Sequence, residues 1–359
     1  MEIYILAVIL FFIVSIAEIN VTNAFTLKIT RRFLLIPMGF IILLVGLRWE
    51  MGTDWEAYFT IYKYLDKNSL DISMEKGFVY LNYFFKSMGI SYQMFIFIQT
   101  FFFFFYLTAF YKKITAFPAL ALLWFFTTNL GIIGANRQLI AMGIVCAGLL
   151  YYLKNKKWYV YLFFIILALQ FHTSSFFAVF YLFFNRKIDT KFLLSGIIIS
   201  AFLGMIGVFS FITPYIYVFG ELAANKANAY SSEVTDYSSL AIIKRLIIVL
   251  PCLLYRKKIE NLKYFNLILN SYIFGICLYL IFGKTLGIVA TRGAFYFNIM
   301  EPVIITSYLI IFRNFMSKNI YILIITILSF FMMKNSIKQY PEIFVPYKTQ
   351  FFETDLINY

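Results

Sequence analysis

Long apolar runs, the longest covering residues 192–219, constrain this chain more than any other feature. About 20 apolar residues cross the hydrocarbon of a bilayer as a helix, and within lipid the backbone must satisfy its own hydrogen bonds. The runs lack the period-two alternation of barrel strands, so helices follow. They fall at 3–19, 33–47, 92–111, 118–134, 137–153, 158–171, 173–184, 192–219, 239–255, 264–282, 292–312 and 319–333. The fold class expected is therefore an all-α polytopic membrane protein of about twelve spans, forming a single integral membrane domain over 1–359. Composition agrees: 62% of residues are hydrophobic and 13% charged, against about a quarter charged in soluble domains. Met1 to Ile19 lacks a basic leading region and a small-residue cleavage site, so it reads as a first span rather than a cleaved signal.

The net charge of +14 would suit nucleic acid if the cations formed one surface. They do not. Lys28/Arg31/Arg32, Lys112/Lys113, Lys154/Lys156/Lys157, Arg186/Lys187/Lys191, Arg256/Lys257/Lys258/Lys263 and Arg313/Lys318 occupy every second loop. That is a topology signal, placing those loops in the cytoplasm and both termini outside, with no nucleic-acid partner. The outward loops 48–91 and 220–238 and the tail 334–359 carry 12 of the 17 acids. Within the first of them, Gly77 to Gly89 is expected to form an amphipathic helix on the membrane surface, with Phe78, Leu81, Phe84 and Phe85 on its apolar face. Cys146, Cys252 and Cys277 lie inside apolar runs without metal-ligand spacing and read as packing residues. No internal repeat is present.

Charges at or inside the spans need a reason, because burying them in lipid is expensive. Arg48 closes the second run and leads into Trp-Glu-Met-Gly-Thr-Asp-Trp-Glu-Ala-Tyr, which brings an aspartate, a glycine hinge and aromatics to the outer surface. Trp49, Trp55 and Tyr58 suit an interfacial aromatic belt. Arg137 and Arg292 are expected in first helical turns, where free N–H groups favour an anion, with Asn136 as a cap. Lys244 and Arg245 lie about 8 Å into the ninth run. Each cation has an alternative use in snorkelling to headgroup phosphate or pairing with an outer acid such as Glu50 or Glu301. A shared cavity lined by Arg48, Arg137, Lys244, Arg245 and Arg292 would instead fit a pyrophosphate, whose oxygens guanidinium forks match. His172, the only histidine, has an unperturbed pKa of about 6.5 and is a natural general base; Asp54 is the other candidate. Ser174 is two residues from His172, on a different helical face, which argues against a Ser–His hydrolase. No glycine-rich phosphate loop appears, and one histidine does not build a transition-metal site, so no cofactor and no metal are expected.

Arg48 with Gly52, Thr53, Asp54 and Tyr58, then Glu75-Lys76-Gly77-Phe78, Asn136-Arg137-Gln138 with Ala141, and Phe171-His172-Thr173-Ser174 together resemble the EpsG family of Wzy-like exopolysaccharide and O-antigen polymerases. Arg292 with Tyr296 and the terminal Val345-Pro346-Tyr347 extend the resemblance. It implies a GT-C-like glycosyltransferase of the bacterial inner membrane, active on the periplasmic face. The growing glycan would pass from undecaprenyl pyrophosphate onto a lipid-linked repeat unit, without nucleotide or metal. His172 or Asp54 would take the acceptor proton. The arginines and Lys244 would bind the pyrophosphate, Tyr58, Glu75 and Tyr296 would contact substrate, and Trp49, Trp55 and Tyr58 would stack on sugar rings where they do not serve as an anchor. Implied partners are the undecaprenyl-pyrophosphate-linked oligosaccharide, membrane lipid and a polysaccharide co-polymerase setting chain length. The alternative is a lipid-linked glycan flippase, which would want an internal repeat and charges reachable from both faces.

Overall fold

Backbone groups that lie among apolar side chains must be paired locally, and helix is the local solution. In the computed structural model, which describes residues 1–21, 24–67, 70, 74–208 and 238–351, every regular element is a helix. The one extended pairing among these residues is an isolated antiparallel bridge between Arg48 and Thr349. Among the described residues, seven helices are long and apolar enough to cross a membrane: Glu2–Ile19, Phe25–Gly46, Tyr92–Ile114, Asn136–Asn155, Phe265–Phe282, Ala290–Ile310 and Phe315–Gln339. Shorter apolar helices cover Pro118–Thr128, Trp158–Leu169, Thr173–Phe183 and Thr190–Ile206. The outward loop expected at 220–238 lies outside the described residues except for Ser238, as do Asp71, Glu353 and Asp355. The chain divides into two compact units, one of Met1–Thr173 with Phe312–Tyr359, the other of Ser174–Ile311.

The first unit contains α1 (Glu2–Ile19), α2 (Ala24–Phe33), α3 (Leu35–Gly46), α4 (Trp55–Tyr64), α5 (Lys76–Ser87), α6 (Tyr92–Ile114), α7 (Pro118–Thr128), α8 (Asn136–Asn155) and α9 (Trp158–Leu169), with a C-terminal helix Phe315–Gln339. α6 sits at the centre, packed against α3, α7 and α8, and its Phe103, Phe104, Leu107 and Phe110 are buried. Ser91 caps it, its hydroxyl accepting from the Met94 N–H at 3.3 Å. α7 is capped from another helix. The Glu18 carboxylate, buried at the end of α1, accepts the Ala119 N–H at 2.8 Å. With Pro118 supplying no N–H, the first turn of α7 is thereby answered by a buried acid oxygen of another helix. Ile13, Phe163, Ile166 and Phe331 stay exposed. In water such surface would drive aggregation; against acyl chains it is the normal outer face.

α5 occupies the place expected for an interfacial helix but presents a different face. Phe78, Val79 and Asn82 are buried and Phe85 packs on Phe95 of α6, while Phe84 and Met88 are exposed. The helix docks on protein through the turn holding Gln170, whose carbonyl accepts the Phe78 N–H at 3.2 Å, and this docking rotates the buried stripe.

The second unit contains α10 (Thr190–Ile206), α11 (Ser239–Leu254), α12 (Phe265–Phe282), α13 (Gly287–Asn298) and α14 (Glu301–Ser307). α12 packs on both α10 and α13. Arg292 was expected in a first turn but is the sixth residue of α13, which begins at Gly287. The apolar run is continued backwards by Gly-Ile-Val-Ala, so the helix starts before the arginine and its free N–H groups lie elsewhere. At Gly204, α10 approaches the Leu280 carbonyl of α12 so closely that a Cβ would overlap it, whereas a Cβ at Gly196 meets nothing within 4 Å. Gly204→Ala should therefore cost about 1–3 kcal/mol by overpacking. Gly196→Ala should be neutral or stabilising by about 0.5–1 kcal/mol. Thermal unfolding of the two variants in detergent checks this, and equal melting temperatures would contradict the packing.

Candidate functional site

The first unit gathers four of the sequence-selected residues at one end of its helices. Arg137 is the second residue of α8, Tyr58 lies one turn into α4, Glu75 immediately precedes α5, and His172 follows α9. Arg137 donates through Nη1 to Glu75 Oε2 at 2.6 Å and through Nε to the Tyr58 hydroxyl at 3.0 Å. Its Nη2 makes no hydrogen bond among the described residues, and its side chain retains 21% exposure. The other Glu75 oxygen accepts the Thr173 N–H at 3.4 Å, fixing the turn that carries His172. His172 is buried and close enough for its electrostatic influence to reach Glu75. Burial alone would raise the Glu75 carboxyl, but the Arg137 charge, hydrogen bonds and His172 outweigh it and hold the group below its ordinary range. Glu75 is therefore a carboxylate committed to Arg137.

Asp54 occupies the N-cap position of α4, one helical turn before Tyr58, without making a capping hydrogen bond. It is half-buried. Its approach is set by Gly52, which has φ of 109° and lies against Gly134, so that a Cβ at either glycine would strike the other's loop. This close contact joins the loop after Arg48 to the turn Leu130–Gly134 that leads into Arg137. Only glycine tolerates both the backbone conformation at position 52 and the approach.

Arg48 is buried rather than open to a cavity, with 1% exposure. It donates to the Val45 carbonyl at 2.5 Å and to Asn136 Oδ1 at 2.8 Å. Burial pushes its guanidinium down to about 10, opposed by Tyr92, Tyr347 and Tyr4, so it is charged at neutral pH. Asn136 is consequently not the cap of α8. Ala135 holds that position, and the Asn136 amide instead bridges Arg48 and the Tyr92 hydroxyl. Tyr92 was not singled out from the sequence; its place as the first residue of the run 92–111 was the available signal.

The aromatics of the same stretch are neither an interfacial belt nor an open sugar platform. Trp49 meets Trp55 at 4.9 Å, Trp55 stacks on Phe59 at 5.0 Å, and Tyr58 meets Phe78 at 5.3 Å, with both tryptophans and Tyr58 buried. Their faces are spent on one another. The terminal motif covers them: the Trp49 N–H donates to the Lys348 carbonyl at 3.0 Å, and the Tyr347 hydroxyl to the Leu44 carbonyl at 2.8 Å. Lys348 also reaches Glu50 Oε2 at 3.5 Å.

The second unit holds the other candidates. Lys244 on α11 pairs with Glu301 Oε1 at 2.9 Å, and Tyr272 donates to the second oxygen at 2.7 Å. Arg245 does not snorkel outward. It is buried, with its guanidinium 4.2 Å from the centre of the Tyr279 ring and one nitrogen on the Ala241 carbonyl at 3.0 Å. Arg292 is half-buried on α13, and Tyr296, one turn later, is buried with its carbonyl accepting from Tyr181 at 2.6 Å. Among the described residues no three of His, Cys, Asp and Glu stand together as a metal site would need.

Compared with known proteins, the chain matches the profile of the EpsG family over residues 31–349. No curated protein and no solved structure matches it.

The Glu75–Arg137 pair yields a pH prediction. The Glu75 carboxyl is held below its usual 4.5, so the pair's stabilisation is complete above that value and is lost as pH falls through the depressed one. Glu75→Gln should lower stability by about 1.5–3 kcal/mol at neutral pH, the worth of a hydrogen bond to a charged group. It should also flatten the acid limb of the curve. Melting temperatures of wild type and variant between pH 7 and 3 check both, and parallel curves would contradict the pairing.

Proposed function

The chain belongs to the EpsG family, and from that membership and the geometry around Arg137 we propose that it is a membrane polysaccharide polymerase. In this reading it is a glycosyltransferase that moves a growing glycan from undecaprenyl pyrophosphate onto a lipid-linked repeat unit. The family match carries the general class. The observation that supports the chemistry is one guanidinium held between Tyr58 and Glu75, with an unengaged nitrogen edge, beside the single histidine.

The reaction needs three things: a stabilised leaving group, a base and a fixed geometry. A hydroxyl oxygen of the acceptor sugar attacks the anomeric carbon of the donor, and its proton passes to His172, or to Asp54. The bond from that carbon to the pyrophosphate oxygen breaks, and the oxygen leaves with the electron pair. Arg137 meets the negative charge that develops there, and because Glu75 and Tyr58 have already oriented it, little reorganisation is needed. Arg48 positions the loop through Asn136 rather than touching substrate. Lys244, Arg245, Arg292 and Tyr296 are proposed as substrate contacts of the second unit.

Twelve spans and a GT-C-like architecture belong to the same proposal. The seven long helices would be joined in the bilayer by the four shorter apolar ones and Ser239–Leu254. The site would then face the periplasm, with the basic loops in the cytoplasm and a chain-length-regulating co-polymerase alongside.

Purified protein incubated with a defined lipid-linked repeat unit should make polymer without added nucleotide or metal. His172→Ala should lower the rate by about 10²–10⁴, the usual worth of a general base, and Asp54→Asn tests the other candidate base in the same way. Arg137→Ala should abolish polymer while the protein stays in the membrane. Wild-type ladders from Arg137→Ala and His172→Ala together would overturn the assignment.

A further inference from the structure

A second polar feature lies at the other end of the first unit. Lys112 is 20 residues along α6 from Tyr92, or about 30 Å, and Tyr92 is the residue that touches Asn136. Beside Lys112 opens a cleft of about 460 Å³, lined by Leu27, Lys28, Arg31, Arg32, Leu35 and Lys112. Four of those six residues are cations and none is an acid.

Lys28, Arg31 and Arg32 follow one another at i, i+3 and i+4, so α2 holds three like charges on one face, an arrangement that is destabilising by itself. Among the described residues none of the four cations has a salt bridge or hydrogen bond. The carboxylate within electrostatic reach of Arg31 and Lys112 is Glu18, and it is turned inward onto the first turn of α7. The contrast within the same chain is informative. The cleft of about 480 Å³ lined by Lys187, Arg256, Lys257 and Lys258 also contains Glu260, which accepts from Lys187 at 3.2 Å. That cleft sets two acids, Asp189 and Glu260, against its four cations, whereas the cleft beside Lys112 has none.

The uncompensated cleft also has an apolar border. Phe25 and Phe33 on α2 and Leu35 and Ile36 at the start of α3 are all exposed. A phosphate in the cleft would satisfy the guanidinium forks, and acyl chains joined to it would lie along those side chains. Free phosphate would use only the first half of that surface. We propose that the cleft formed by α2 and the end of α6 is a binding site for the headgroup of an anionic phospholipid, such as phosphatidylglycerol or cardiolipin. It faces the leaflet that the charge pattern assigns to the cytoplasm, and basic clefts between helices there are suited to such headgroups.

Native mass spectrometry and thermal unfolding of delipidated full-length protein test this with three probes: phosphatidylglycerol, phosphatidylcholine and inorganic phosphate. Phosphatidylglycerol should remain bound and raise the melting temperature, and the other two should do neither. Lys28→Gln/Arg31→Gln/Arg32→Gln should weaken phosphatidylglycerol binding at least tenfold, as should Lys112→Gln to a smaller degree. Lys257→Gln/Lys258→Gln, in the cleft that contains Asp189 and Glu260, should leave it unchanged. Equal retention of phosphatidylcholine, or equal stabilisation by inorganic phosphate, would overturn the proposal. So would wild-type phosphatidylglycerol affinity in the triple variant. The wild-type comparison among the probes stands even where the triple variant fails to fold.

Discussion

The pairing of Arg137 with Glu75 is the interaction on which one end of the first unit depends. Taking two charges from water costs several kcal/mol each, and a pair repays that only with good geometry and further hydrogen bonds. Both conditions are met. The 2.6 Å contact is supplemented by Tyr58 on one partner and the Thr173 N–H on the other. The result ties α4, α5, α8 and the turn after α9 to one point, although these elements are separated by long stretches of chain. A single carboxylate thus decides where the histidine sits.

Beneath this pair lies a second, fully buried cation. Arg48 is held by Asn136, the residue next to Arg137, so the two arginines are anchored through adjacent positions of one helix. The tail from Val345 to Thr349 closes over the loop that follows Arg48, using backbone bonds and Tyr347. The aromatic cluster of Trp49, Trp55, Phe59 and Tyr92 supplies the apolar floor. Aromatic side chains in this stretch therefore contribute rigidity to the cation above them. This is the support that a charge-stabilising group requires, since a guanidinium that must first reorganise stabilises a developing charge less.

The second unit handles its cations in the same manner with different partners. Lys244 is answered by Glu301, and Arg245 by the face of Tyr279. Within a membrane helix such partners are a condition of burial, because lipid offers no water to complete the shell. The cations at the opposite end of the first unit differ: Lys28, Arg31, Arg32 and Lys112 have a cleft and no acid, so the bilayer's own phosphate is their natural complement.

The sequence by itself determined that the chain is helical and belongs in a membrane, because apolar run length and composition suffice for both. It also picked out Arg137 and His172 as polar groups at the borders of apolar runs, whereas Glu75 came in through the family resemblance and Tyr58 as one of the aromatics after Arg48. It could not say which of them meet. Periodicity reports the face a side chain occupies on its own helix, never the partner across from it. The pair Glu75–Arg137 is 62 positions apart and Arg48–Asn136 is 88 apart. For that reason Asn136 read as a cap when it is a bridge, and Trp49 and Trp55 read as surface aromatics when they are covered. The Thr173 N–H and the Gln170 carbonyl carried no signal at all, since every residue has them. Tertiary packing alone decided which backbone groups and which charges would be brought to Arg137, because burial makes an unpaired charge too costly to leave where local structure puts it.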